Sequence, residues 1–252
     1  MAIGGDFTRR LLLDAGIERG MRVLDVGCGT GDVSLIACEL VGTTGHVLGI
    51  DRDARMVDAA RDRTRGAGLV NLHVEVRGMD ELPAGSGPFD AIVGRRVLMY
   101  QPDVVRAVRG LAALLRPGGI VAFHEHAAGD PMASGDLPLH RTVQSWLRET
   151  VRREGGNVLM GLDLHEVLTR AGLLVKGVRA EAIVQTPTQP YPLAAIACSI
   201  LPRILERKVA TADEIDIETL ARRLDAERLG SPATYVGDTM FGAWAQKAHQ
   251  SE

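Results

Sequence analysis

Three glycines alternate in Gly27-Cys28-Gly29-Thr30-Gly31, directly after the apolar run Val23-Leu24-Asp25-Val26 and just ahead of a helix-compatible run from Val33 to Val41. Glycines at a strand-to-helix turn reach dihedrals closed to other residues and let a ligand approach the main chain. A helix opening there aims free N–H groups at whatever binds. The chemistry these residues suit is the binding of a nucleotide-type ligand. The dinucleotide pattern Gly-x-Gly-x-x-Gly is met at Gly27 and Gly29, but its third position is Asp32 and the extra glycine, Gly31, comes one residue early. Asp25, two residues before the first glycine, would repel a pyrophosphate. It suits a ligand with an ammonium group and no phosphate, and S-adenosylmethionine has that character.

Further acids and apolar runs follow in order. His46 to Asp51 reads as a second strand ending in a carboxylate, which can accept both ribose hydroxyls. Asp53 stands where an N-cap belongs, and Ala54 to Arg65, with Met56 inside it, reads as a helix. A third strand, Leu72 to Val76, leads into Gly78-Met79-Asp80-Glu81-Leu82-Pro83. There Asp80 is placed to accept from the exocyclic amine of adenine, with Met79 packed on the ring. Arg52 either lies against the adenine or faces solvent. A fourth strand, Phe89 to Val93, precedes a helix with Val104, Val108, Leu111, Ala112 and Leu115 on one face. The turn Arg116-Pro117-Gly118-Gly119 ends that helix, and Ile120 opens a fifth strand.

Taken together, VLDVGCGTGD, GIDRD, GMDELP, FDAIVGRRVLMY and LLRPGGIVAFHEH make the chain resemble a class I S-adenosylmethionine-dependent methyltransferase over roughly residues 20 to 127. It is most similar to the small-molecule branch of the ubiquinone/menaquinone-biosynthesis type. The resemblance implies an α/β fold: a Rossmann-like seven-stranded sheet, last strand antiparallel, with helices on both faces. Met240 to Lys247 resembles that last strand. It also implies S-adenosylmethionine as cofactor, with S-adenosylhomocysteine as product. Gly27, Gly29 and Asp51 match the family pattern of cofactor contacts, joined by Arg52, Met56, Met79 and Asp80. Arg95 would offer its backbone carbonyl to the ligand's ammonium. The Arg95-Arg96 pair departs from the small or polar residues usual there; its side chains either bind an acidic acceptor or pair with acids on a cap. Asp25 acts through water or by holding the turn. Cys28 reads as a small spacer, since no base is placed near it.

A hydroxyl or carbon-acid acceptor would need a base. Candidates near the strand ends are His124, His126 and Tyr100, with His140 further off. Alternation around Glu125 puts His124 and His126 on one face of the fifth strand. Each is either an acceptor contact or a satisfied structural histidine. A third ligand at recognisable spacing is missing, so no metal is expected. Tyr100 either contacts cofactor or acceptor, or packs beneath a cap.

The elements that position these groups fit one domain over residues 1–252, with cap insertions at approximately 128–160 and 188–235. Ala127 to Pro138 reads as a loop, His140 to Arg153 and Leu162 to Ala171 as helices, and Leu173 to Val184 as a strand. Leu193 to Val209 and Glu214 to Leu229 read as further helices. Such helices would roof the site and shape an acceptor pocket. With 46% hydrophobic residues the chain can form a sizeable core. Its 29 Lys plus Arg against 32 Asp plus Glu argue against a nucleic-acid partner. No amino-group signature follows the fourth strand, where the chain reads Gly94-Arg95-Arg96-Val97. Cys28, Cys38 and Cys198 form no metal or disulfide pattern, no run of 18 apolar residues appears and no signal segment opens the chain. A cytoplasmic protein with no membrane partner is expected, and the extra helices offer a face for a homodimer. Only four Phe, three Tyr and two Trp are present, so the pocket is expected to be lined by Leu, Ile, Val and Met and to suit an apolar acceptor. The expected function is methyl transfer to a small organic acceptor, by oxygen, nitrogen or carbon. The alternative is a protein of this fold that uses the ligand in a non-methylating reaction or a binding role.

Overall fold

The computed structural model describes residues 5–249, so the two ends of the 1–252 expectation lie outside the described residues. The strands are β1 (Arg22–Val26), β2 (His46–Asp51), β3 (Leu72–Val76), β4 (Phe89–Arg95), β5 (Leu115–Ala127), β6 (Met132–Ala133), β7 (Leu174–Gln185) and β8 (Tyr235–Gln246). The helices are α1 (Gly5–Asp14), α2 (Asp32–Val41), α3 (Ala54–Gly66), α4 (Val104–Ala113), α5 (Pro138–Arg153), α6 (Met160–Arg170), α7 (Leu193–Ser199), α8 (Leu201–Glu206), α9 (Ala212–Ile215) and α10 (Ile217–Leu229). A 3-10 turn, Leu98–Tyr100, follows β4.

The sheet order is β3-β2-β1-β4-β5-β8-β6, with β7 paired to β8. The first five strands run parallel. The start of β5 is tied to the end of β8: Gly118 N–H donates to the Lys247 carbonyl at 3.1 Å and Lys247 N–H to the Gly119 carbonyl at 2.8 Å. These two strands are therefore antiparallel, and the sheet is the Rossmann-like one expected, with eight strands in place of the seven expected. The Arg116–Gly119 turn is absorbed into β5 by this pairing. An eighth strand, β6, lies in the stretch that reads as loop; it pairs antiparallel with Tyr235 and Val236. Two residues are too few to show a strand period in sequence.

Chain order reverses between β1 and β4, which leaves a crevice outside their carboxyl ends. Val26 and Gly94 are register partners at that end, so the glycine turn and the Arg95-Arg96 pair leave the sheet side by side. One core lies beneath them. Leu11 and Leu12 of α1, Val33, Ala37 and Val41 of α2, and Val57 and Ala60 of α3 close on Val23, Val47, Val74, Ala91 and Val93. Each such large side chain stabilises the fold by about 1.5–3 kcal/mol relative to exposure. Strand alternation puts Asp25 on the face of Val23, so it is aimed at α2.

The chain clusters into two compact units. One holds the described residues up to Glu125, Met160–Ala180, and those from Phe241 onward. The other holds His126–Leu159 and Glu181–Met240, built around Val143, Leu193, Ala197, Ile204, Ile215, Leu220 and Leu224. Two expected helices are broken here. The run 193–209 splits at Ile200, with Pro202 in the first turn of α8, where its missing N–H costs nothing. The run 214–229 splits at Asp216, whose φ of 43° ends α9 before α10 begins.

Candidate cofactor and active site

The turn after β1 holds three glycines at positive φ, Gly27, Gly29 and Gly31. Gly27 has φ 66°, and a Cβ there would sit 2.5 Å from Val97 Cγ2, so no side chain fits. Gly29 has φ 54° and a Cβ there would meet nothing within 4 Å; its backbone faces open space. Cys28 N–H donates to the Ile50 carbonyl at 2.9 Å, which fastens the turn to β2. Gly29 N–H donates to Asp51 Oδ2 at 2.9 Å, and Asp53 N–H donates to Asp51 Oδ1 at 2.9 Å. Each oxygen of Asp51 spends one lone pair on backbone and keeps another for hydroxyl donors.

Asp25 is fully buried, and its Oδ2 accepts from Ser34 Oγ at 2.6 Å. Burial pushes its carboxyl up to about 7, against the Ser34 hydrogen bond and the charge of Arg95. Asp25 thus ties β1 to the first turn of α2. The Arg95 side chain is ion-paired at the glycine turn: its Nη2 lies 2.8 Å from Asp32 Oδ2. Arg63 Nη1 holds the other Asp32 oxygen at 2.7 Å and donates to the Thr30 carbonyl at 2.7 Å. Burial works to raise the Asp32 carboxyl, but the Arg63 hydrogen bond and the Arg95 charge outweigh it and hold it below the usual range. The glycine turn is therefore strapped from β4 and from α3.

Arg52 and Asp80 are exposed, Met56 is 41% exposed, and Met79 is half-buried. Glu81 Oε2 accepts from Gly78 N–H at 2.9 Å and shapes the loop carrying Met79 and Asp80. Tyr100 closes the 3-10 turn after β4 and is half-buried.

The two histidines of β5 have different surroundings. His124 is 1% exposed, its Nδ1 lies 2.9 Å from Thr8 Oγ1, and its ring tilts against Phe7 with centroids 4.7 Å apart. That is the setting of a structural histidine. His126 Nδ1 lies 3.5 Å from Asp238 Oδ2, and Asp238 also accepts from Gln144 Nε2. Gln144 Oε1 in turn accepts from the Tyr235 hydroxyl at 3.1 Å. His140 is buried with Nδ1 2.6 Å from Glu227 Oε2, which accounts for it structurally. Between the histidines, Glu125 has no role in the sequence reading, yet it is fully buried, and its Oε1 accepts from Val97 N–H at 2.9 Å and Leu98 N–H at 2.7 Å. Burial pushes its carboxyl up to about 7.

No group of three His, Cys, Asp or Glu among the described residues is placed to hold a metal. Cys28 is a buried free thiol, held well above the usual range by burial and by the charges of Asp25 and Asp51, which disfavours its thiolate at neutral pH. No helix among the described residues is long and apolar enough to cross a membrane. An open approach at Gly29 beside the spare lone pairs of Asp51 fits an adenosyl ligand.

A family model described as a methyltransferase domain matches residues 17–172. The demethylmenaquinone methyltransferase of Staphylococcus aureus (strain MRSA252) is 34% identical over 117 residues, 46% of this chain and 48% of that protein. The chain thus spans about half the length of the curated relatives it matches. Among solved structures, the geranyl diphosphate methyltransferase in complex with S-adenosylmethionine aligns with TM-score 0.60 and 16% identity, over 97% of this chain and 85% of that one. The [4+2]-cyclase SpnF aligns with TM-score 0.59 and 22% identity, over 97% and 81%. At these identities the two structures speak to the fold alone.

Proposed function

Because the chain belongs to the methyltransferase-domain family, a class I S-adenosylmethionine-dependent family, we propose that it moves a methyl group from S-adenosylmethionine to a small organic acceptor, at oxygen, nitrogen or carbon. The observation that carries this reading is the pairing of an open Gly29 backbone with an Asp51 carboxylate that keeps acceptor capacity at the carboxyl end of β2.

In this reading Gly27 and Gly29 admit the ligand, and Asp51 accepts its ribose hydroxyls. Arg52, Met56, Met79 and Asp80 serve the adenine side. The Arg95 main-chain carbonyl takes the ammonium, while its side chain straps Asp32. Asp25 keeps α2 in place. S-adenosylmethionine, when bound, supplies a methyl on a sulfonium with a good leaving group. What the protein adds is chiefly positioning, which can lower the barrier by several kcal/mol, on the order of 7–11 at best. Tyr100 serves the reacting end. Where the acceptor carries a proton to be removed, the proposal gives that role to His126, oriented by Asp238. His124, buried on Phe7 and Thr8, takes no part.

The test is incubation with S-adenosylmethionine and a panel of apolar hydroxyl, amine and carbon-acid compounds, read by mass spectrometry. A product one methyl heavier, with release of S-adenosylhomocysteine, is expected. A second reading draws on the likeness to a protein called a [4+2]-cyclase: the ligand is bound but keeps its methyl. Saturable binding, together with conversion of a panel compound without S-adenosylhomocysteine release, would favour it.

A further inference from the structure

We propose that Glu125 is a positioning residue of the cofactor turn, acting on Gly27 through Val97; the methyltransferase reading supplies only the choice of ligand for the test. The first link is a buried carboxylate on backbone donors. Glu125 Oε1 takes the N–H groups of Val97 and Leu98, at 2.9 and 2.7 Å. They lead into the 3-10 turn Leu98–Tyr100, where the first N–H groups have no partner within the turn.

The second link is the backbone just before Val97. Arg96 has φ 55°, a left-handed conformation rare for a side chain of its size, and its N–H donates to the His124 carbonyl at 2.9 Å. Residues 96 to 98 are thus pinned to the carboxyl end of β5 by three consecutive N–H groups. The third link is Val97 itself. Its Cγ2 occupies the space a Gly27 Cβ would need, 2.5 Å away, and its Cγ1 lies 2.9 Å from where a Gly94 Cβ would be. Val97 is a wedge seated on the first glycine of the turn and on β4 together, and Glu125 sets where it sits.

Glu125 Oε2 is buried without a hydrogen-bond partner. A buried carboxylate with one oxygen unsatisfied is a costly way to stabilise a fold, and such exceptions call for a role. Here that role is to hold the backing of the ligand turn in one position. Glutamine at 125 would keep an oxygen for both N–H groups, whereas alanine would leave them bare.

The experiment is calorimetric titration of S-adenosylhomocysteine into wild type, Glu125→Gln, Glu125→Ala, Val97→Ala and the double variant Glu125→Ala/Val97→Ala, with a thermal melt on each. Wild type and Glu125→Gln are expected to bind alike. Glu125→Ala and Val97→Ala should each bind about tenfold more weakly, about 1.4 kcal/mol, and the double variant no more weakly than either. That non-additivity is the mark of two residues acting as one device. A purely stabilising role would lower the melt and leave the affinity of the folded protein unchanged, which overturns the proposal; so do losses that add. If the alanine variants at 125 fail to fold, Val97→Ala decides alone, because it leaves every Glu125 hydrogen bond intact. Wild type that fails to bind would sink the cofactor reading as well, and is told apart from a Val97→Ala variant that binds like wild type.

Discussion

Gly29 N–H and Asp51 Oδ2 meet at 2.9 Å, which joins the glycine turn after β1 to the acid that ends β2. The other Asp51 oxygen accepts from Asp53 N–H, so an amide at this position must set an NH2 group against one of two backbone donors. Asp51→Asn is therefore expected to weaken S-adenosylhomocysteine binding by about ten- to a hundredfold, the scale of a lost charged hydrogen bond. Calorimetry reads this directly, and affinity equal to wild type would remove Asp51 from the site.

Asp32 stands between Arg63 and Arg95, and its carboxyl is held below its ordinary value of 3.8. A depressed carboxyl contributes stability that is present above its unfolded value and lost as pH falls through its folded one. Asp32→Ala should therefore lower stability at neutral pH by about 1–2 kcal/mol, with the gap closing below pH ~3.8. Denaturant melts at neutral pH and at strongly acid pH measure the gap; one that stays constant with pH would contradict the assignment.

Asp25 and Glu125 shift the other way, from 3.8 and 4.5 up to about 7 each. The folded chain then holds protons that the unfolded chain has released between pH ~4 and ~7, so stability falls as pH rises through that window. Each pKa unit is worth about 1.4 kcal/mol. The melting temperature is expected to decline from pH ~5 to ~8, and to decline less in Asp25→Asn and Glu125→Gln. Parallel curves for all three proteins would show that neither group titrates as described.

Cys28 and Cys38 are buried, and burial raises the Cys38 thiol to about 11, while Cys198 is exposed. Alkylation follows the accessible thiolate. Iodoacetamide on the native protein should mark Cys198 alone, with Cys28 and Cys38 modified only after unfolding. Peptide mass spectrometry reads the three sites separately, and native labelling of Cys28 would mean that the turn opens in solution.

Much of the site's framework is legible locally. Leu72–Val76 has the same bounds in the sequence reading and in the structure, and Asp53 accepts from Arg55 N–H at 2.9 Å as the N-cap of α3. Apolar runs broken by glycine and capping acids carry that information within a few residues. What escapes is long-range. Arg95 finds its partner 63 residues away, and Glu125 finds its donors 27 and 28 residues upstream, at the exit of a different strand. The neighbouring histidines draw attention by their chemistry, whereas a glutamate acting on backbone N–H groups has no side-chain signature. Pro202 stands in the first turn of α8, but apolar periodicity runs straight through the α7–α8 break.

The pairing of β8 against β5 bears on how the protein is made. Every strand of the ligand turn's framework has been synthesised by residue 127, yet the outer edge of β5 is covered only when residues 235–246 arrive. Until then a long apolar strand presents an open row of N–H and C=O groups, a template for pairing with other chains. A nascent or truncated chain ending before Tyr235 would thus carry a complete glycine turn on a sheet primed to aggregate, and folding chaperones would meet it at that edge.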